Sequence, residues 1–314
     1  MLVYENRVKP VKCAVQSIRK PDSTAIKSRT APVVDELEVK FETMILSEIN
    51  IFPVKSLRGH SPQSARVEPR GFEHDRRWLL VDRVGRFMTQ REFPKMAVIE
   101  AEISGGEIFF RFDGRSCAAE FEPAGDESTV QIWNDKCGAI AYDVPVNAWF
   151  SDVLGTECRL VKMTDTTVPR PVDRQYARNE NDHVSFADGF PYLLLGEASV
   201  GELNRRLDQP VPINRFRPNL VVRGSGAFDE DGWSAIRIGE VEFDVVKPCA
   251  RCVVTTVDQE NGIMNGVEPL RSLAQFRTFE RGGSKKVLFG QNLLARNLGT
   301  VRVGDPIAVL ERRA

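Results

Sequence analysis

VVKPCARCVVTTVDQENG, residues Val245 to Gly262, holds a closely spaced pair of cysteines, Cys249 and Cys252. The alternation of Val241, Phe243 and Val245 predicts a strand leading in, and Pro248 is expected to break its ladder. The β-branched run Val253 to Val257 predicts a second strand leading out. Both cysteines are thus expected on a short loop between strands. Lys247 and Arg251 flank them, and such cations favour thiolate over thiol. A thiolate held that way is a soft-metal ligand or a redox group.

Working outward, short strands recur. Ile45, Ile49 and Ile51 lead into Pro53-Val54-Lys55-Ser56, and Trp78–Val81, Val98–Ile103 and Ile108–Phe112 follow. Gly105-Gly106 and Asp113-Gly114 mark tight turns between them. Pro145 to Gly155 reads as a helix with Val146, Trp149, Phe150 and Val153 on one face. Later come a helix around Gly196–Leu207, strands at Leu220–Val222, Ile236–Val245, Val301–Val303 and Ile307–Val309, and a helix at Pro269–Phe276. The pattern predicts a mainly β chain with some helices (α+β), and short strands with turn signals at this spacing suggest antiparallel barrels or sandwiches.

Residues 1–42 mix basic residues with Ser, Thr and Pro and lack periodicity, so they are expected to be a flexible extension. The first barrel is expected over 43–165, a Pro- and Arg-rich linker over 166–184, and the second barrel over 185–314. The basic segment Arg281 to Lys286, RGGSKK, reads as a mobile surface loop.

With a formal net charge of −1, the chain has no electrostatic footprint for nucleic acid or an anionic membrane. No run of about 18 apolar residues suggests a membrane span. Six cysteines in 314 residues are too sparse for a secreted disulfide scaffold, and no signal-peptide h-region is evident. A reducing cytoplasm is the default expectation.

The cysteine pair leaves several chemistries open. A thioredoxin-like dithiol wants the motif opening a helix, whereas a β-branched run follows here. Zinc needs a second ligand pair, and the three histidines, His60, His74 and His183, lie at no ligand spacing. A cofactor metal that takes a single protein thiolate is a third reading. Two buried cysteines at a barrel turn, with packing roles only, are a fourth.

KPCARCVVTTVDQENG also resembles the signature of the MOSC-domain proteins (molybdenum cofactor sulfurase C-terminal domain), most of all the mitochondrial amidoxime-reducing component and its bacterial relatives. The likeness continues in order through FPVKS (Phe52–Ser56), DRRWLLVD (Asp75–Asp82), SFADGFPYLLLGEAS (Ser185–Ser199), FRPNLVV (Phe216–Val222) and FGQNLLARN (Phe289–Asn297). It implies an N-terminal MOSC β-barrel domain, then the MOSC domain, with a molybdenum–molybdopterin cofactor between them. By this resemblance Cys252 is the molybdenum ligand, and Cys249 stands behind it. Lys55, Ser56, Arg76 and Arg217 match phosphate and pterin contacts, a role that suits the planar fork of arginine. Asn219 and Asn292 match amides near the metal or pterin, and Arg251 offsets the cofactor's charge. Asp188 matches an acidic residue beside the metal, although Asp before Gly189 is equally a turn former.

The resemblance implies a reductase of N-hydroxylated compounds (amidoximes, hydroxylamines, N-hydroxylated bases). The close bacterial relatives carry a C-terminal ferredoxin-like domain. No cysteine follows Cys252 here, so electrons are expected from a separate donor protein of ferredoxin, flavin or cytochrome type. Two other readings stay open: a carrier or sulfur-transfer module that holds the cofactor without turnover, and a dithiol oxidoreductase using both cysteines.

Overall fold

The first described strand completes a sheet made otherwise from the second half of the chain. In the computed structural model, which describes residues 43–281 and 283–313, that sheet has eight strands. Seven of them run in the order Ile45–Ile49, Leu220–Arg223, Tyr192–Gly196, Ser284–Ala295, Val241–Ala250, Trp233–Ile238 and Ile307–Arg312, and Thr278–Arg281 pairs with Ser284–Ala295. The expected extension, 1–42, lies outside the described residues. All pairings are antiparallel except Tyr192–Gly196 with Leu220–Arg223, which the helix Glu197–Asn204 helps to connect. The two ends of the sheet also meet. Ile45 bridges Pro306, Leu46 N donates to Asp305 O at 2.9 Å, and Ile307 N donates to Met44 O at 2.8 Å. The result is a nearly closed barrel filled by Leu46, Ile49, Tyr192, Trp233, Phe243 and Leu293.

The other half is an open half-barrel. Trp78–Val81, Arg159–Lys162, Asp135–Ala141 and Glu127–Ile132 form a four-stranded sheet, and Glu100–Ser104, Glu107–Phe112 and Arg115–Glu120 form a three-stranded meander. Asp113 and Gly114 both take positive φ at the turn of that meander, as a two-residue hairpin requires. The helix Val144–Leu154 buries Val146, Phe150 and Val153 against Trp78, Leu80, Ile108 and Phe110. It stops at Gly155, whose φ of 70° is the left-handed cap that glycine supplies. A small sheet stitches the halves together by pairing Gly299–Arg302 with Ser64–Glu68. The mainly β, two-barrel expectation holds.

Three local expectations do not. Val253–Thr256 is a 3₁₀ turn, not a strand. The hydroxyls of Thr255 and Thr256 donate back to the carbonyls of Cys252 and Val253, and this local bonding outcompetes a ladder. Pro248 does not end its strand either; it sits opposite Gln291 between two register shifts, where a missing N–H is tolerated. Within the expected linker, Arg170 is no solvated charge. It is 2% exposed, and residues Arg170–Pro171 pair with His183–Val184. Of the basic segment, Ser284, Lys285 and Lys286 belong to the strand Ser284–Ala295 and pair with Arg281, Glu280 and Phe279.

Glu230 is a buried carboxylate that anchors the start of the helix Glu197–Asn204. It accepts from Ser199 Oγ at 2.8 Å and from Gly196 N at 3.3 Å. Burial pushes its carboxyl above the ordinary value of 4.5, so the folded chain holds this proton more readily than the unfolded one. The stability it contributes is full below pH 4.5 and falls as pH rises through the raised value. Glu230→Gln, which keeps the hydrogen bonds without the charge, should flatten the decline of Tm above that pH. Glu230→Ala leaves the hydroxyl and the amide unpartnered and should cost about 1–3 kcal/mol. Thermal unfolding of the three proteins across pH measures both effects; parallel Tm curves for wild type and Glu230→Gln would refute the account.

Candidate functional site

The segments Phe52–Ser56 and Asp75–Trp78 are laced together by main-chain bonds. Phe52 N donates to Asp75 Oδ1 (2.9 Å), Arg76 N to Phe52 O (2.8 Å), Trp78 N to Pro53 O (3.1 Å) and Lys55 N to Trp78 O (2.9 Å). This sets Lys55 and Arg76 side by side, beneath the barrel residues that follow Phe186. Asp75 is fully buried and pairs with Arg76 Nη1 at 2.6 Å. Arg217 approaches the same place from the other half. The ring of Phe52 lies under both guanidiniums, 4.5 Å from that of Arg76 and 4.1 Å from that of Arg217. Ser56, Arg76 and Arg217 all take left-handed backbone conformations, with φ of 69°, 51° and 52°. Residues with a Cβ seldom adopt that conformation, and such outliers gather where function over-determines the backbone.

All nine expected site residues, Lys55, Ser56, Arg76, Asp188, Arg217, Asn219, Arg251, Cys252 and Asn292, line one cavity, as does Cys249. Its walls carry six cations (Lys55, Arg76, Arg91, Arg215, Arg217, Arg251) and one carboxylate, Asp188. In a chain of net charge −1 this is a strong local excess of positive charge, suited to an anion. Among the described residues, Arg91, Arg217 and Arg251 have no carboxylate partner. Burial, reinforced by the neighbouring Arg76 charge, pulls Arg217 down to about 9.

Lys55 and Asp188 form an ion pair at 2.5 Å. Burial draws the Lys55 ammonium down to about 8 even though Asp188 opposes this. For Asp188, the protein packed around it disfavours the charge, although the side chain keeps 64% of its exposure. The Lys55 ammonium, aided by Arg91 and the indole N–H of Trp133, outweighs that and holds the carboxyl below the usual range. A turn-forming Asp would bond a nearby backbone N–H; this side chain bonds Lys55 and Trp133.

The two thiols differ. Burial pushes the Cys249 thiol up, with Arg251 and Lys247 only partly offsetting it, so the expectation that flanking cations favour its thiolate fails. Lys247 instead points over the rings of Tyr176 and Phe190. Cys252 precedes the 3₁₀ turn, and its Sγ accepts a hydrogen bond from Arg91 Nη2 at 3.1 Å. The cation on this sulfur therefore comes from the other half of the molecule, and sequence reading missed it.

Other predicted residues are held by the framework. Asn219 spends its amide on Asn50 O (3.0 Å), Arg76 Nη1 (3.1 Å) and Leu193 N (3.3 Å), so it positions Arg76. Asn292 donates to Lys247 O at 3.1 Å. Arg251 donates from Nε to Phe289 O (2.7 Å) and from Nη1 to Phe216 O (3.0 Å), while its buried Nη2 has no partner. Gly290 makes room for it: a Cβ there would meet Leu194 O at 2.8 Å and Arg251 Nη2 at 3.1 Å.

Two further supports were not foreseen. The buried amides of Gln90 and Gln259 bond each other at 2.9 and 3.2 Å; Gln90 also holds Ser56 O (2.7 Å), and Gln259 accepts from Arg217 Nη1 (3.0 Å). Arg170 reaches the carbonyls of Ser185, Ala187 and Asp188, and so fixes the loop that presents Asp188. Nothing local in the sequence marks these long-range bonds. Among the described residues no helix is long and apolar enough to cross a membrane.

Residues 43–157 match the MOSC N-terminal beta barrel domain, and residues 181–308 match the MOSC domain. The chain is similar to mitochondrial amidoxime-reducing component 1 of Mus musculus, 31% identical over 84% of this chain and 82% of that one. Mitochondrial amidoxime-reducing component 1 of Danio rerio is also 31% identical, over 84% of each chain. Molybdenum cofactor sulfurase of Oryza sativa subsp. japonica is 33% identical over 78% of this chain but only 32% of its own length. A cation-lined cavity with two cysteines in its wall is thus lined by residues from both matched stretches, and the chain belongs to the MOSC-domain family.

Proposed function

We propose that this protein is a molybdenum-cofactor-dependent reductase of N-hydroxylated compounds, with amidoximes, hydroxylamines and N-hydroxylated bases as the substrate class. The observation that carries the reading is a cavity with Cys252 in its wall, Cys249 nearby, and six cations facing a single carboxylate. These residues fit an anionic, soft-metal cofactor. Cys252 offers one sulfur ligand, Arg217 and Arg91 bring positive charge unpaired with any described carboxylate, and the buried Nη2 of Arg251 lacks an acceptor.

When bound, the cofactor supplies two-electron oxygen-removal chemistry; the chain supplies ligation, orientation and electrostatics. Cys252 would hold the metal while Arg91 fixes the direction of the sulfur. Lys55, Ser56, Arg76 and Arg217 would hold phosphate and pterin, with Asn219 and Gln259 keeping the two guanidiniums in place. Asp188, kept ionised by Lys55, would accept or relay a proton at the cavity mouth. A separate electron-donor protein would restore the reduced state. The likeness to a cofactor sulfurase supports a second reading, a module that carries the cofactor or its sulfur without turnover.

Protein from a cofactor-competent host should contain near-stoichiometric molybdenum and pterin, and should reduce an amidoxime with reduced viologen as donor. Pterin without turnover would favour the carrier reading instead. Cys252→Ala should lose all turnover, and wild-type rates in that variant would remove the ligand assignment. Cys249→Ser should keep turnover; its inactivation would point to the dithiol reading. Arg217→Met and Lys55→Met each remove a charge-assisted contact worth roughly 1.5–3 kcal/mol. Their pterin affinity should drop about tenfold or more, and unchanged pterin content after dialysis would show that neither residue holds the cofactor.

A further inference from the structure

The strands Glu127–Ile132 and Asp135–Ala141 are joined by a two-residue turn, Trp133-Asn134. Tight turns of this length need positive φ, and glycine or asparagine normally supplies it. Here the positive φ, 56°, falls on Trp133 and not on Asn134. A bulky residue persists in that conformation only where its surroundings over-determine it.

Those surroundings include two residues of the cavity wall, Arg91 and Asp188. The Arg91 guanidinium lies 4.5 Å from the ring centroid, the indole Nε1 donates to Asp188 Oδ1 at 3.3 Å, and Phe87 packs against the ring in a T-shaped contact at 5.0 Å. Yet Trp133 remains 44% exposed. The Asp188 side chain is 64% exposed, and both of its bonds end on Oδ1, so Oδ2 has no partner among the described residues. The part of the indole that Arg91 and Phe87 leave exposed therefore stands beside a carboxylate oxygen without a described partner, one residue away from the Cys252 sulfur through Arg91.

We propose that Trp133 is a specificity-determining residue: a stacking platform that, with Asp188 Oδ2, selects flat conjugated substrates carrying an in-plane N–H donor. Aromatic amidoximes and N-hydroxylated aminoheterocycles have both features, and aliphatic hydroxylamines lack the plane. The proposal rests on the N-reductase reading and narrows its substrate class. Stacking on an aromatic face is tolerant of ring identity but demands planarity, so the residue sorts substrates by shape.

The test compares holoprotein with Trp133→Phe, Trp133→Leu and Trp133→Gly variants. The readouts are kcat/KM for an aromatic amidoxime and for an aliphatic hydroxylamine, and the Kd of the matching aromatic amidine, which has no N–O bond to reduce. Trp133→Leu should lower the aromatic-to-aliphatic ratio about tenfold through KM and weaken amidine binding by the same factor. Trp133→Phe, which keeps a ring but loses the N–H, should retain most of the ratio. Trp133→Gly should lose the ratio with a Tm at or above wild type, because glycine relieves the left-handed backbone.

Equal losses for both substrates in Trp133→Phe and Trp133→Leu would overturn the proposal, leaving the indole as a prop for Arg91 and Asp188. So would a large fall in Tm for Trp133→Gly together with an unchanged substrate ratio. Reduction of both substrates by wild type, with the ratio unaltered in Trp133→Leu, would reject the platform and leave the N-reductase reading standing. Amidine binding that follows the ring across the variants, with no turnover of either substrate, would do the reverse.

Discussion

Mutual repulsion among like charges is the constraint around which the cavity is built. Arg76 and Arg217 both lie against one phenylalanine ring, with Lys55 close enough for Arg76 to depress its basicity. Such a cluster is unstable unless every cation is fixed by something that does not move. The chain uses three kinds of anchor. A buried carboxylate, Asp75, takes Arg76. Aromatic faces, Phe52, Trp133 and Phe216, sit under Arg76, Arg217, Arg91 and Arg251. Backbone carbonyls of Leu57, Phe216 and Phe289 take what remains. The left-handed conformations at Ser56, Arg76 and Arg217 follow from the same need, since they turn the chain so that these groups converge. An anion entering the cavity would relieve a tension that the fold otherwise holds by itself.

The two halves contribute unequally to that arrangement. The closed barrel brings the two cysteines; the half-barrel brings Lys55, Arg76 and Arg91. Contacts across the join are specific: Arg91 reaches Cys252, Gln90 reaches Gln259, and Arg76 reaches Asn219. The amide pair matters because each buried glutamine satisfies the other and still holds a cavity residue. Removing either partner would strand polar atoms on both sides.

Much of this fold was legible because strands declare themselves locally. Trp78–Val81 was read to the residue, and the Val144–Leu154 helix within one position, since alternation and the glycine stop are short-range signals. The expected site residues came from ordered motif blocks, and the structure gathers all of them at one cavity. What stayed hidden acts at long range or against local preference. Arg91 and Cys252 are 161 positions apart, and nothing near either announces the other. Arg170 looked like a linker charge because Pro and Arg surround it, whereas three carbonyls and a carboxylate enclose it. Val253–Val257 has the composition of a strand, but two threonine hydroxyls decided the outcome.

The seam of the larger barrel has a consequence for how the chain is made. Ile45–Ile49 leaves the ribosome early, yet its partner arrives far later: Ser47 bonds Val221 across 174 positions. At about 5–20 residues per second, that delay is on the order of 10–35 s. Closure against Asp305–Pro306 must wait for nearly the whole chain. Until Leu220–Arg223 is made, the strand lacks its described partner, while the meander Glu100–Glu120 can already pair within itself. The nascent chain therefore carries this edge beside a half-barrel that can form first. The part of the barrel that is translated first is the last to be used.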